Sequence, residues 1–330
     1  IIPELLTMLD QGRGYDLYKI FLLEAAAYGC NMSVPYGGWM GNTIKDAFYP
    51  PREITRKIQE FLADNEKLFS KKSGANTTVL YSWKSNYWRE ATKASTGNVE
   101  GSDESILFFT PTDISDPKTS RLPFWESIKI MSDAQAVYDV KMLADGILRE
   151  DLFDIFDLEG TSLLVLPQCD DLTENQAKII LKYAQSGRKV IAFGSTGANI
   201  EGFEKELSKF TNVLFCENPE DKTIAMSNFK NCFENEYKNL AYVKVSDSTV
   251  GVHTHVTSQC KSIHLINYNY DSENDSVKDI DSVEITISGN IDITKLHAPD
   301  SPVVEYLKEI IDGKTIIKIK NMPIYTVIEY

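Results

Sequence analysis

An α/β fold giving way to an antiparallel β-sandwich is what this 330-residue sequence predicts, and three observations carry the prediction. Short apolar runs alternate with helical patterns between about residues 77 and 216. The hydrophobic period then switches to two after Leu240. Ahead of both, residues 15–39 read as a single helix-to-strand step. Apolar strands separated by amphipathic helices imply a parallel sheet covered on both faces. Strands joined by turn signals with no helices between them imply a sandwich.

The elements follow in order. From Leu17 to Tyr28 the apolar residues mix a three-four period with a nearly continuous apolar surface, as expected for a helix packed on a sheet. Gly29 stops it. Residues 31–35 form a short strand that opens into Tyr36-Gly-Gly-Trp39, and the whole step resembles one unit of a (β/α)8 barrel whose other units are absent. Ile54, Ile58, Phe61 and Leu62 recur at helical spacing behind Pro50-Pro51, which predicts the next helix over residues 52–70. A strand at Thr77 to Trp83 begins the second domain. Residues 86–121 turn polar around one apolar patch at residues 106–109 and predict a long irregular excursion. Regular order resumes with a helix over 124–138, a strand near Lys141, an acidic connection, and the apolar strand 162–166. The helix from Thr173 to Gln185 carries a capping box, Thr173 with Gln176, and ends before Gly187. A strand at 189–193, a helix at 200–210 and a strand at 213–216 complete the domain. Period-two segments at 242–246, 249–256, 262–268, 283–287, 315–320 and 325–330 make the sandwich. The domains expected are therefore 1–72, 73–240 and 241–330.

Composition narrows the function. With 42% hydrophobic and 25% charged residues the chain reads as a soluble globular protein, and no apolar run approaches the ~18 residues that span a bilayer. A membrane is not an expected partner. The formal charge of −14 opposes binding to phosphate backbones, so nucleic acid is not one either. The first residues carry neither a basic flank nor a cleavage site, which predicts a cytoplasmic protein. The start at Ile1 and the lone barrel step predict a piece of a longer polypeptide. Five scattered cysteines, never spaced as a CxxC pair, read as reduced and mostly buried thiols.

The order of a barrel end carrying Glu24-Ala-Ala-Ala-Tyr-Gly-Cys-Asn-Met-Ser-Val-Pro-Tyr-Gly-Gly-Trp39, an α/β domain with the run 163–177 and Gly187-Arg-Lys-Val-Ile-Ala-Phe-Gly194, and a small β domain is similar to the C-terminal part of family 42 β-galactosidases and related clan-A glycoside hydrolases. The resemblance implies a flavodoxin-like or class I amidotransferase-like middle domain that often builds a trimer, hence a homo-oligomer. It implies a β-linked glycoside, such as a β-galactoside, as substrate of the intact enzyme. It also implies two carboxylates about 5–5.5 Å apart in a retaining mechanism without a cofactor. Those carboxylates belong to barrel strands ahead of this chain, so no catalytic residue is expected in it. Glu4, the one early candidate, reads as a surface residue.

Tyr36 and Trp39 are the candidate sugar contacts, because aromatic faces stack on sugar C–H faces at the mouth of a barrel; the alternative is that they only cap it. Glu24, inside an apolar helix, reads as a hydrogen-bonding partner for a neighbouring helix. Ser195 stands in the turn Gly194-Ser-Thr-Gly197 where amidotransferases carry a nucleophile, but all four histidines lie beyond residue 250, so it reads as a turn hydroxyl. Cys169 reads as a packed thiol. The same glycine turn resembles a phosphate cradle without the Lys-Ser/Thr of a P-loop. His253, His255 and His264 share one face of two strands; with no carboxylate or cysteine in register they read as a solvent- or interface-facing set, not a metal site. The acidic loop 271–275 reads as a solvated hairpin loop. A non-catalytic oligomerisation or carbohydrate-binding module is the alternative function.

Overall fold

The computed structural model describes residues 14–30, 52–70, 72–85 and 124–330. The strand expected at 31–35, the polar excursion 86–121 and the candidates Glu4, Tyr36 and Trp39 lie outside these residues. The described residues divide into two compact units, one from positions up to 74 together with 241–330, the other from 75–240.

The first unit opens with helix α1 (Tyr15–Ala27) and helix α2 (Arg52–Asp64), the latter followed by a 3-10 turn at Glu66–Leu68. Gly29 takes a positive φ of 68° just past the end of α1, the conformation that a Cβ resists.

The second unit is a five-stranded parallel sheet: β1 (Thr77–Ser82), β2 (Tyr138–Leu143), β3 (Leu163–Pro167), β4 (Lys189–Phe193) and β5 (Val213–Cys216), in the order β2-β1-β3-β4-β5. Strand residues alternate between two buried faces. Leu164, Leu166, Val190 and Ala192 pack beneath helices α4 (Glu174–Gln185) and α5 (Phe203–Leu207) with Ile180, Tyr183 and Leu207. On the other face Phe193 meets Phe229 of α6 (Lys222–Tyr237), ring centroids 5.1 Å apart. Helix α3 (Phe124–Asp133) supplies Glu126, which pairs with Lys222 at 2.5 Å.

Helix α6 is not anticipated from the sequence. Its buried side chains, Ala225, Phe229, Phe233 and Tyr237, stand four apart on one narrow stripe, and the remaining positions are mostly polar. The expected helix 124–138 is shorter: the chain leaves it after Asp133, and Tyr138 already pairs with Thr77. The capping box of α4 forms as predicted, Thr173 accepting from the Gln176 N–H and Gln176 from the Thr173 N–H. One cysteine expectation is corrected. Cys216, at the end of β5, is joined to Cys232 of α6 in a disulfide, Cα atoms 6.8 Å apart; Cys30, Cys169 and Cys260 form no disulfide among the described residues.

The sandwich closes the first unit. Strands β6 (Val243–Val245), β7 (Val250–Val256), β8 (Lys261–Asn267), the short hairpin β9 (Tyr270–Asp271) and β10 (Ser276–Val277), β11 (Ile280–Ser288), β12 (Lys295–His297), β13 (Tyr306–Ile311), β14 (Lys314–Met322) and β15 (Tyr325–Glu329) follow in turn. They form two antiparallel four-stranded sheets, β13-β14-β11-β6 and β12-β15-β8-β7. β15 is buried along its whole length and β8 everywhere but Lys261. The reason lies in α1 and α2: Tyr18, Leu22, Leu23, Ile58 and Leu68 pack on Ile266, Tyr325 and Val327. The helices therefore cover an outer face that a two-sheet sandwich leaves polar.

Candidate functional site

Open parallel sheets bind ligands beyond the carboxyl ends of their strands, where the strand order reverses. Here that point lies between β1 and β3. Ser82 Oγ, at the end of β1, donates to the Asp171 carbonyl at 2.8 Å, and the Asp171 N–H donates to Ser85 Oγ at 2.9 Å. Lys84 stands 3.7 Å from the Asp171 carboxylate. The chain's own side chains thus bridge the crevice that a nucleotide fold leaves open.

Beside it are two sharp strand-to-loop turns. Gln168 follows β3 with φ 47°, a conformation uncommon outside glycine, and its buried amide oxygen accepts from Asn218 Nδ2 at 2.9 Å. Gly194 follows β4 with φ 70°; a Cβ there would lie 3.2 Å from Asn218 Nδ2. The strained non-glycine turn is therefore at Gln168, one strand away from the turn that the sequence marks. Ser195 Oγ donates to Asp170 Oδ1. Residues 75–240 hold no histidine to serve as a base for that hydroxyl. Cys169 is buried against the Leu80 carbonyl, 3.8 Å from Sγ. Thr196 is wholly buried, and its hydroxyl finds no hydrogen-bond partner among the described residues. Among the described residues the cluster fastens loops to one another through Ser82, Ser85, Asp170 and Asp171.

A cavity of about 610 Å³ opens on the same unit, where Trp83, Met142 and Leu143 meet the connection 144–157. That connection is pinned. The Asp145 carboxylate accepts the N–H groups of Ile147, Leu148 and Arg149 at 3.0–3.1 Å, which hold its pKa below the usual carboxylate range. Gln176 Nε2 donates to the Ala144 carbonyl at 2.7 Å.

In the first unit the three histidines do share one face: His253 pairs with His264 and His255 with Ser262 across β7 and β8. The face is turned inward, toward α1 and the 3-10 turn, which excludes the solvent-facing half of the expectation. His255 Nδ1 accepts the Ser70 N–H at 3.0 Å, so Nε2 carries the proton and donates to the Ala27 carbonyl at 2.6 Å. His264 is fully buried; Nε2 donates toward the Leu68 carbonyl at 3.1 Å, and Nδ1 accepts from Tyr325 at 2.6 Å. Burial lowers all three pKa values, His253 to about 4 with His255 as a second cause, His264 well below its ordinary value. No cluster of three metal-ligating groups occurs among the described residues.

Glu24 finds its partner on the sandwich and not on a helix: Tyr268 donates to Oε1 at 2.5 Å. The acidic loop is also docked. Asp275 accepts the Gly14 N–H and the Tyr270 hydroxyl, while Asp271 is held well below its ordinary pKa by Lys278, Asn274 and two backbone N–H groups.

At the sequence level no protein-family model and no curated protein matches the chain. Solved structures do. An α-L-fucosidase isoenzyme 2 from Paenibacillus thiaminolyticus superposes with a TM-score of 0.55 at 10% identity, over 96% of this chain and 57% of its own. Over the matched stretch the chain shares its fold with this solved enzyme. A β-galactosidase from Bacillus circulans sp. alkalophilus gives 0.54 at 10% identity, over 95% and 52%, and Gan42B, a GH42 β-galactosidase from G. stearothermophilus, gives 0.54 at 9%, over 96% and 50%. The chain thus spans about half the length of these structural neighbours. The parallel α/β sheet and the antiparallel sheets are the parts expected from the C-terminal region of such enzymes. The neighbours' names differ in both sugar and anomer, so the shared fold selects neither.

Proposed function

We propose that this chain is the C-terminal portion of a glycoside hydrolase acting on β-linked sugars, with β-galactosides the first choice. The observation that carries the reading is the superposition of 95–96% of the chain on glycosidases over only 50–57% of their length. In this reading residues 1–72 close a (β/α)8 barrel, 73–240 are an amidotransferase-like domain without chemistry of its own, and 241–330 are a β-sandwich. The two retaining carboxylates, about 5–5.5 Å apart, come from barrel strands outside the chain. Tyr36 and Trp39 stack on the sugar at the barrel mouth, and no cofactor takes part.

The bridged crevice at Ser82, Ser85 and Asp171 supports an accessory role for the α/β unit. The same feature favours, as the second reading, a homo-oligomerisation or carbohydrate-binding module, trimer formation being the form that the resemblance suggests. No described helix is long and apolar enough to cross a membrane. A cytoplasmic placement, expected from the sequence, is part of this reading, and a thiol titration of the natural polypeptide, which reports whether Cys216 and Cys232 are joined, tests it. The test is a chromogenic β-galactoside assay on the natural polypeptide that contains this chain. Turnover lost on Trp39→Ala supports the reading, and an inert polypeptide that still binds oligosaccharide supports the module instead.

A further inference from the structure

Three imidazoles join the helical layer of the first unit to its sandwich. His255 of β7 reaches two segments at once, accepting the Ser70 N–H and donating to the Ala27 carbonyl at the end of α1. His264 of β8 donates toward the Leu68 carbonyl and accepts from Tyr325 of β15, and Ser262 Oγ donates to the same Leu68 carbonyl at 2.7 Å. His253 lies against Tyr28, just past α1, with ring centroids 4.0 Å apart. The rings of His255 and His264 are 4.3 Å apart, and Phe69 packs on His264 at 5.0 Å. His255 and His264 each use one nitrogen as donor and the other as acceptor, a division open only to the neutral ring. A proton added to His255 sets an N–H against the Ser70 N–H, and one added to His264 competes with the Tyr325 hydroxyl proton.

We propose that these histidines form a proton-operated clasp: acid releases α1, α2 and the 3-10 turn from the sheet β12-β15-β8-β7 while the sandwich itself stays paired. The clasp is independent of the glycosidase reading. Among the described residues none of the three rings hydrogen-bonds to a carboxylate, so no ion pair rewards a proton in the closed state. Glu24 of α1 is taken by Tyr268, and Lys67 of the 3-10 turn pairs with Glu329 of β15, which also meets His297 of β12. Cys260, in the turn between β7 and β8, donates to the Lys67 carbonyl. Glu53, Arg56, Lys57 and Glu60 of α2 are exposed, as are Lys72 and Lys261. Burial is the main cause that holds the three pKa values down, and for His253 and His264 the neighbouring rings add to it. Opening returns each ring to its ordinary value near 6.5, so the closed state is fully favoured above that pH and loses ground as the pH falls below it. The release is local because Val252, Ile263 and Leu265, which alternate with the histidines, stay buried on the opposite face of the sheet.

Hydrogen exchange on the natural polypeptide between pH 7.5 and 5, corrected for the intrinsic pH dependence of exchange, tests this. A short helix freed from its sheet is marginal in water, so amides of 15–27 and 52–70 should exchange at least about 30-fold faster at pH 5, the gain that one such ring supplies. Amides of β11 and β14, in the opposing sheet, should change by no more than about threefold. His255→Gln and His264→Gln keep a donor and an acceptor but take no proton, and each should cut the gain in the helices at least about threefold. Histidine 15N spectra of the unsubstituted polypeptide give a readout that does not depend on how the variants fold. At pH 7.5 His255 and His264 should carry the proton on Nε2, and the charged form should appear only in step with the faster exchange of α1. Helices that stay equally protected down to pH 5 overturn the proposal, as do charged imidazoles in a molecule whose helices remain protected. Equal acceleration in β11 and β14 also overturns it, since acid would then unfold the unit whole, and so do glutamine variants that keep the full gain. Turnover of a β-galactoside, or its absence, bears on none of these outcomes.

Discussion

The two units differ in the chemistry at their centres. Beneath α4 and α5 the core of residues 75–240 is an apolar cluster, and among the described residues the unit carries a covalent constraint in the disulfide that ties β5 to α6. Between α1, the 3-10 turn and the sandwich, by contrast, lie ionisable groups: His255, His264 and Tyr325, with Glu329 held by Lys67 and, at 2.8 Å, by His297. Apolar cores answer to cavities and cross-links, whereas buried polar networks answer to protons. The comparison says that acid and reductant should loosen different halves of the molecule, a distinction that peptide-resolved hydrogen exchange reads separately in each half.

Phe229→Ala should have the largest effect. It removes a wholly buried ring that meets Phe193 edge to face and stacks on Phe233, and about 3–5 kcal/mol of stability with it, faster exchange appearing in residues 75–240 first. An equal acceleration in the sandwich would erase the distinction between units. Reduction, or the paired change of Cys216 and Cys232 to Ser, should cost the α/β unit about 3 kcal/mol for a separation of 16 residues. Unchanged melting under reductant would remove the cross-link from the comparison.

Acid should act on the other unit. The folded histidines have pKa values below the ordinary 6.5, His253 at about 4, so between those values the unfolded chain binds more protons than the folded one. Stability is then complete above pH 6.5 and falls as the pH drops toward 4, by on the order of 2 kcal/mol. A flat stability profile from pH 7 to 4.5 would contradict the tautomers assigned to His255 and His264. Tyr325→Phe should cost about 1–2 kcal/mol by leaving His264 Nδ1 without its donor, and should make the acid limb shallower, since the bond it deletes holds His264 neutral. Smallest, Thr173→Ala should cost about 1 kcal/mol by uncapping α4, detectable only in the α/β unit.

Much of this architecture was legible because local chemistry and tertiary structure agree. Thr173 and Gln176 announce the start of α4, Gly187 its end, and the period of two in 249–256 survives as β7. Helix α6 was not legible, since a stripe of one residue in four resembles a polar linker until a sheet lies beneath it. Nor was the disulfide, because pairing depends on Cα proximity that spacing of 16 residues does not encode. The histidines illustrate a partial reading: alternation put them on one face, but only the helices packed there decide that the face is buried. The turn at Gln168 escaped because no residue type marks a strained backbone as glycine marks a relaxed one.

The bond between β5 and α6 also defines what a sample of this protein is. Material produced in a reducing host and material exported through an oxidising compartment differ by the mass of two hydrogen atoms and share every residue. In the first, α6 is held by its buried stripe, Ala225, Phe229, Phe233 and Tyr237, and by ion pairs such as Lys222 with Glu126; in the second it is also tethered to the sheet edge. Two laboratories using different expression hosts would purify distinct chemical species under one sequence, and a comparison of their melting curves begins with a thiol count.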